Sequence, residues 1–276
     1  MHDKLNKLLL YLELFKFSIL HPKNGIQILQ TALQMYGNSK YNIDDYNIKP
    51  LETTQAINFL FPDFHFSDNK SDEKLSYLQN HLNSFFKKLE HENYPSKKKP
   101  YPIDYSLENF SNIFLYMLCK IIKPDVVVET GVAYGTSSSY ILQALCENNR
   151  GKLYSIDSVF RPWESKSMIG SAIPYDDLRS RWQLILGPTS NTLNKLLNTL
   201  GKVDIFFHDS LHTFKNMMFE FETAWPFIKK DGYLISDDIL NNSAFHKFSI
   251  SNNTQPIIVA HKFSNTTIGV LRKSSN

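Results

Sequence analysis

Four residues between positions 129 and 157 have the types and spacing of a nucleotide-binding site. An apolar, β-branched run ends at Glu129, and Gly131 and Gly135 follow in the next segment. Glycines there let the backbone turn tightly and approach a ligand without a side chain between them. Asp157 ends a second short apolar run, where a carboxylate can accept hydrogen bonds from both hydroxyls of a ribose. The spacing predicts the first βαβ unit of a nucleotide-binding sheet.

The details of the glycine loop disfavour a pyrophosphate ligand. Ala133 stands where a dinucleotide fingerprint has its second glycine, and no lysine follows Gly135 as in a phosphate-binding loop. The acid Glu129 would repel a phosphate but suits a ligand with a cationic or amine group. An ordinary Rossmann-like βαβ unit without such a ligand is the alternative interpretation of this motif.

A second group of polar residues follows two later apolar runs. Asp209 comes directly after the run 203–208, and Asp237 and Asp238 follow the run 233–236. Because the carboxyl ends of adjacent parallel strands meet at one sheet edge, these acids are expected close together. Their mutual repulsion favours a cation such as Mg²⁺. Alternatively, Asp209 caps the helix that follows it, and the acidic pair lies in solvent.

The first motif resembles motif I of class I S-adenosylmethionine-dependent methyltransferases. The resemblance implies that the glycine loop (Glu129, Gly131 and Gly135) faces the methionine part of the cofactor. It also implies that Asp157 binds the ribose, and it places Ser190 near the adenine. The second motif resembles metal-dependent O-methyltransferases of catechol and macrolide-sugar type.

By that second resemblance, Asp209, Asp237 and Asp238 would hold a divalent cation. Catechol-type enzymes have a lysine base three residues after the first acid, and this chain has His212 there. An imidazole can accept a hydroxyl proton near neutral pH, so His212 and Asp209 are the expected catalytic residues. The lower pKa of histidine suits a different acceptor hydroxyl from the one that a lysine base would deprotonate. His208 precedes Asp209 and should point to the opposite face of the strand.

Alternating strands and helices after residue 100 predict an α/β fold, a doubly wound, mostly parallel seven-stranded sheet with an antiparallel last strand. The expected strands are 125–130, 152–157, 183–187, 203–208, 233–237, 256–261 and 266–272. Helices between them are expected at 135–148, 175–181, 189–199 and 212–229. Helices at 3–20, 24–36, 51–60 and 71–91 predict an N-terminal cap or oligomerisation region (1–100), and a further helix at 106–122 begins the methyltransferase-like domain (101–276).

Composition sets the remaining expectations. The chain has 276 residues, 42% hydrophobic and 21% charged, with a net charge of +3, so it should be globular with no nucleic-acid partner. The apolar segment 5–20 is interrupted by charge and too short to span a bilayer, which predicts no integral membrane segment. Two cysteines without a pattern predict free thiols and a cytoplasmic protein. The N-terminal helices would allow a homodimer.

These observations favour S-adenosylmethionine-dependent O-methylation of a small hydroxylated molecule, such as a sugar or a secondary metabolite. One alternative is an NAD-dependent oxidoreductase on the same type of sheet, although the chain lacks the dinucleotide fingerprint. Another is a non-catalytic adenosylmethionine-binding or assembly module, with the helical N-terminus as its functional surface.

Overall fold

The computed structural model describes residues 2–64, 73–103, 109–174, 176–262 and 266–274. Its central feature is a seven-stranded sheet in the order β3-β2-β1-β4-β5-β7-β6. The strands are β1 Val126–Thr130, β2 Lys152–Asp157, β3 Trp182–Leu186, β4 Val203–His208, β5 Ile228–Ser236, β6 Ile257–Ala260 and β7 Thr267–Arg272. The first five pair in parallel, and β7 pairs antiparallel with both β5 and β6. This confirms the predicted doubly wound sheet and its antiparallel last strand.

Ten α-helices surround the sheet in the described part of the chain. They are α1 His2–Leu20, α2 Pro22–Tyr36, α3 Thr53–Leu60, α4 Glu73–Glu90, α5 Asn109–Ile122, α6 Thr136–Glu147, α7 Asp176–Ser180, α8 Thr189–Leu200, α9 Phe214–Ala224 and α10 Ala244–Ser251. The predicted starts of the fourth and fifth helices, at 71 and 106, lie outside the described residues, as does most of the connection between the last two predicted strands.

One prediction about the last third of the chain was wrong, and one helix there was not predicted. The helix expected at 212–229 ends at Ala224, and β5 already begins at Ile228. Pro226 explains the early end, because a proline inside a helix removes a hydrogen bond and clashes with the preceding turn. The sequence analysis did not predict α10, whose eight residues form a helix that buries Phe245 and Phe248.

The sheet has an apolar core on each face, and the strand period of two divides the residues between them. On β1, Val127 packs into one core and Val128 into the other. On β4, Phe207 and Phe206 divide in the same way. All four side chains are fully buried, which fixes the register of the two central strands and the positions at which they end.

The N-terminal elements contact the sheet domain in two different ways. Leu51 extends the sheet edge, since its N–H donates to the carbonyl oxygen of Ile258 at 2.9 Å, and α3 packs on α5 and β6. By contrast, α2 has no buried residue and α1 packs against α2. No helix in the described ranges is long and apolar enough to cross a membrane.

Candidate active site

A cavity of about 1220 Å³ opens at the carboxyl ends of the central strands. Crevices outside the carboxyl ends of strands are where open parallel sheets bind their ligands. Seven residues that the sequence analysis singled out line this cavity, and they are Gly131, Asp157, Ser190, Asp209, His212, Asp237 and Asp238. Two others, Glu129 and Gly135, are not among the lining residues.

The glycine loop after β1 is held in left-handed backbone conformations. Gly131 has φ +83°, and a Cβ there would lie 1.9 Å from the carbonyl oxygen of Asp209. Gly135 has φ +91°, and its Cβ would meet Gly170 and Ile173 in the insert between β2 and β3. Gly131 therefore lets the loop pass close to the β4 end of the cavity, whereas Gly135 lets the insert pack behind the loop.

Asp157 connects the end of β2 to the glycine loop. Its Oδ2 accepts hydrogen bonds from the backbone N–H groups of Val132 and Ala133 at 3.0 and 2.9 Å. Its Oδ1 accepts one from Ser158 N–H at 2.6 Å. Burial raises the pKa of Asp157 to about 6, although the three N–H donors oppose that rise. The carboxyl group lines the cavity and also fixes the loop.

The carboxylate of Glu129 lies behind the cavity lining, next to Ser137, which does line the cavity. It is fully buried and accepts hydrogen bonds from the hydroxyls of Ser137, Ser138 and Ser155 at 2.6, 2.6 and 2.7 Å. Burial raises the pKa of Glu129, and the serine donors oppose the rise. Trp182 Nε1 donates to Ser155 at 2.9 Å, which extends the network to β3. These contacts assign Glu129 to the support of the loop.

Two acids and a histidine meet on the other side of the cavity. Asp209, His212 and Asp237 each offer a ligand atom within 4.8 Å of the others. Asp238 is a neighbour of this group, with Oδ2 3.9 Å from His212 Nδ1. Burial raises the pKa of Asp209 well above its usual value, with Asp237 as the next largest cause. The predicted convergence of these acids is present in the structure, and a cation at this point would relieve their repulsion.

His212 is a neutral imidazole in this setting. Burial, followed by the neighbouring His208, lowers the pKa of His212 to about 3. Its Nε2 is buried and lies 3.8 Å from Asp209 Oδ1, beyond hydrogen-bond distance. A neutral imidazole has the lone pair that a metal ion requires. The residues present therefore fit a divalent cation held by Asp209, Asp237 and His212.

His208 lies next to this group, with its ring centroid 5.2 Å from that of His212. It is fully buried, and its Nδ1 is 2.7 Å from Glu220 Oε2. Glu220 also accepts from Thr130 Oγ1 at 2.6 Å and Ser210 Oγ at 2.8 Å. The sequence analysis missed Glu220. The sequence feature that could have identified Glu220 is its position as a carboxylate on the apolar face of α9, next to Phe221.

The sequence analysis predicted an N-terminal cap without naming its residues, and in the structure α2 forms a wall of the cavity. Gln27 Nε2 donates to Ser158 Oγ at 3.3 Å, just after β2. Thr213 Oγ1, beyond β4, donates to Gln34 Oε1 at 2.8 Å. Asn38 Nδ2, beyond the helix, donates to the carbonyl oxygen of His212 at 3.1 Å. Glutamines at 27, 30 and 34 were the available signal, since this spacing places them on one helix face.

Comparisons with known proteins agree with this geometry. Residues 128–239 match a family model described as a methyltransferase domain. No curated protein matches the chain. The matched range runs from β1 to the residues just after β5, so it contains the glycine loop and the acid group. This part of the chain is therefore similar to a methyltransferase domain.

Solved structures share the fold at low sequence identity. An O-methyltransferase from Bacillus cereus, in complex with SAH, is 15% identical with a TM-score of 0.54, over 75% of this chain and 93% of that one. TomG from Streptomyces achromogenes, an O-methyltransferase involved in tomaymycin synthesis, is in complex with SAM. It is 15% identical with a TM-score of 0.52, over 75% and 92% of the two chains. The SAH-bound methyltransferase PaMTH1 from Podospora anserina is 15% identical with a TM-score of 0.51, over 77% and 98%. The fold is that of class I methyltransferases.

Proposed function

We propose that this chain, a methyltransferase by its matched domain and its fold, transfers a methyl group from S-adenosylmethionine to a hydroxyl oxygen of a small molecule. The observation that carries the proposal is the division of one cavity into two chemically different sides. A glycine loop and Asp157 lie on one side, and Asp209, His212 and Asp237 lie on the other. A donor on the first side and an acceptor on the second would meet at the ends of β1 and β4.

The cofactor assignment has support from the structure and from the comparisons. Asp157 has oxygen atoms at the end of β2, where a ribose can donate its two hydroxyls. Gly131 gives the loop a close backbone approach, and Ser190 lines the cavity at the start of α8. Two of the similar structures hold SAH and one holds SAM. Two of them are O-methyltransferases, which favours an oxygen acceptor.

The sulfonium of S-adenosylmethionine supplies an already activated methyl group. The chain must therefore hold the acceptor oxygen in line with that methyl group and help remove the hydroxyl proton. Asp209 and His212 are the residues we assign to this part of the reaction, as ligands of an ion that would lower the pKa of the hydroxyl. Their side chains lie beside the glycine loop, because the backbone of Asp209 contacts Gly131.

A divalent cation, Mg²⁺ or another, is part of the proposal. Asp209, Asp237 and His212 would hold it, and Asp238 would lie next to it. The bound ion would lower the pKa of the acceptor hydroxyl and orient it. His212 is the departure from an all-oxygen set, and imidazole suits transition metals better than Mg²⁺. With its low pKa, His212 is a better metal ligand than proton acceptor.

The N-terminal helices would complete the site and join two subunits. We assign α2 as a cap because its polar side chains bind both rims of the cavity. A homodimer has separate support from large apolar side chains exposed on α1 and α2, which are Leu9, Tyr11, Leu12, Phe15, Ile19, Leu20, Ile26, Leu29, Leu33, Met35 and Tyr36. Light scattering of the purified chain should show a mass of two subunits, and removing residues 1–20 should reduce it to one.

The test of the proposed reaction uses the full chain with S-adenosylmethionine and a panel of acceptors. The panel would contain catechol, methyl glycosides and hydroxylated aromatic compounds, with and without Mg²⁺ or Mn²⁺. We expect S-adenosylhomocysteine to form together with an acceptor heavier by one methylene unit. Calorimetry should show binding of S-adenosylhomocysteine and no binding of NAD. A chain that binds NAD and not S-adenosylhomocysteine would contradict the proposal.

A further inference from the structure

The cofactor's amino-acid end lacks an evident partner in the glycine loop. A carboxylate at the end of β1 was the expected partner for its amine. In the structure, however, Glu129 is fully buried, is outside the cavity lining and accepts three serine hydroxyls. Polar side chains elsewhere in the cavity lining are then available to contact the ammonium and carboxylate groups that a bound S-adenosylmethionine would carry there.

The position of α2 follows from its contacts at the two rims. Gln27 binds Ser158 after β2, and Gln34 binds Thr213 beyond β4. The sheet order places β1 between β2 and β4. Seven residues of helix span about 10.5 Å, and two strand spacings are about 9.5 Å. The helix therefore crosses from one rim to the other, and its middle lies opposite the loop after β1.

Gln30 and Thr31 occupy the middle of this crossing. Both line the cavity, together with Val132 and Ala133 of the loop. Among the contacts of the described residues, no side-chain hydrogen bond involves either of them, whereas Gln27 and Gln34 on the same face are bound to the rims. An amide offers two donors and an acceptor, and a hydroxyl offers a donor and acceptors. Together they can bind an ammonium and a carboxylate group.

We propose that Gln30 and Thr31 are cofactor-binding residues that recognise the amino-acid end of S-adenosylmethionine from above the glycine loop. The inference rests on the proposed function, since it assigns partners to that cofactor. It makes α2 part of the binding site, and it gives Glu129 a supporting role. The cofactor would lie between the loop below it and the polar face of α2 above it.

The test compares two probes that differ at the amino-acid end. S-adenosylhomocysteine carries the ammonium and carboxylate groups, whereas 5′-methylthioadenosine keeps the adenosine and the sulfur but lacks both. Calorimetry, with displacement of S-adenosylhomocysteine where direct binding is weak, would measure both probes on the full chain. The variants are Gln30→Ala, Thr31→Ala and the double variant. Lys23→Ala is the control, because Lys23 is on α2, is exposed and does not line the cavity.

We expect the double variant to bind S-adenosylhomocysteine about tenfold to a hundredfold more weakly, the usual scale for lost hydrogen bonds to charged groups. Its affinity for 5′-methylthioadenosine should change less than about twofold, and Lys23→Ala should match the parent with both probes. Alanine favours helix, so α2 should persist. Equal losses for both probes, or no loss for either, would overturn the inference alone. A parent chain that binds neither probe would overturn the proposed function, and the inference with it.

Discussion

Gly131 lies against the backbone of Asp209. A Cβ on Gly131 would be 1.9 Å from the carbonyl oxygen of Asp209 and 2.9 Å from Ser210 Cα. The backbone N–H of Asp209 also donates to the carbonyl oxygen of Thr130 at 2.8 Å. The glycine loop after β1 and the acid-bearing segment after β4 are therefore one packed unit, so a change at Gly131 should affect both sides of the cavity.

Replacing Gly131 with alanine should reduce binding of S-adenosylhomocysteine and of a divalent cation together. The new Cβ has no room beside Asp209, and φ +83° disfavours any L side chain. Gly201→Ala is the matched control, because Gly201 has φ +75° and nothing within 4 Å of the Cβ position. Calorimetry and urea unfolding would compare the two variants.

The control variant should lose about 1 kcal/mol of unfolding free energy from backbone strain, and Gly131→Ala should lose more. Ligand binding by Gly201→Ala should equal that of the parent. If Gly131→Ala binds the cation as tightly as the parent but no longer binds S-adenosylhomocysteine, the two sides of the cavity are not coupled through this contact.

The sequence was informative where a local pattern decides the structure. The run ending at Glu129, the glycines after it and the acid at Asp157 identified β1, the loop and β2, because strand ends and turns depend on neighbouring residues. The acids after β4 and β5 were expected together for the same reason. Each of these inferences requires only the two-residue alternation of side chains along a strand and the parallel order of the strands in the sheet.

The local sequence pattern did not predict the direction in which a side chain at a strand end points. Glu129 turns inward because Ser137, Ser138 and Ser155 surround it, and Ser155 is brought there by pairing of β1 with β2. Likewise, the glutamines of α2 resemble an ordinary solvated helix face until folding brings Ser158 and Thr213 to them. Contacts between residues more than a hundred positions apart decide the role of α2.

Glu129→Gln should leave the affinity for S-adenosylhomocysteine within about threefold, because Glu129 does not line the cavity and serine hydroxyls can either donate or accept. Burial raises the folded-state pKa of Glu129. An acid whose pKa is raised on folding contributes stability at low pH, and that contribution is lost as pH rises through the folded pKa. The unfolding free energy of the parent should therefore fall relative to Glu129→Gln as pH increases from 4 to 8.

Glu129→Ala is the disruptive counterpart. It leaves three serine hydroxyls without their acceptor and should cost about 1–3 kcal/mol per buried group left unsatisfied. Urea unfolding from pH 4 to pH 8 would measure both variants. Loss of S-adenosylhomocysteine binding by Glu129→Gln, with unfolding unchanged, would show that the carboxylate reaches the cofactor after all.

Binding of S-adenosylhomocysteine should strengthen as pH rises through about 6, the pKa to which burial raises Asp157. Ionised Asp157 is the better acceptor for ribose hydroxyls, and about a tenth of it is ionised one unit below its pKa. We expect roughly tenfold tighter binding at pH 7.5 than at pH 5 if the ionised form alone binds. Asp157→Asn should bind weakly and without this pH dependence. A variant with the parent's profile would assign the titration to another group.

The stability contribution of Asp157 runs in the opposite direction with pH. Because its folded pKa, about 6, lies above its ordinary value of 3.8, the contribution is full below 3.8 and is lost between there and about 6. The ligand-free parent should therefore lose stability over the same range in which S-adenosylhomocysteine binds more tightly. Thermal unfolding with and without the ligand would separate the two effects.

Asp209→Asn, Asp237→Asn and His212→Ala should each weaken binding of Mn²⁺ by more than tenfold, because each side chain offers a ligand atom to the same point. Asp238→Asn is the control. It distinguishes the group of Asp209, His212 and Asp237 in the structure from the ligand set predicted from the sequence, which included Asp238. Calorimetry with Mn²⁺ and its electron paramagnetic resonance signal would measure binding without a turnover assay. A larger loss of Mn²⁺ affinity in Asp238→Asn than in His212→Ala would favour the site of three acids that the sequence predicted.

The pH dependence of turnover then decides the second role assigned to His212. A general base with a pKa near 6 gives a rate that rises with pH through that value, and removing the base abolishes the rise. Burial and His208 lower the pKa of His212 to about 3, so an imidazole acting as a metal ligand should give no rise between pH 5.5 and 8 that His212→Ala removes. Turnover should also stop in EDTA and return with Mn²⁺. Activity that persists in EDTA, with a rise in rate that His212→Ala abolishes, would instead make His212 the proton acceptor of a metal-independent enzyme.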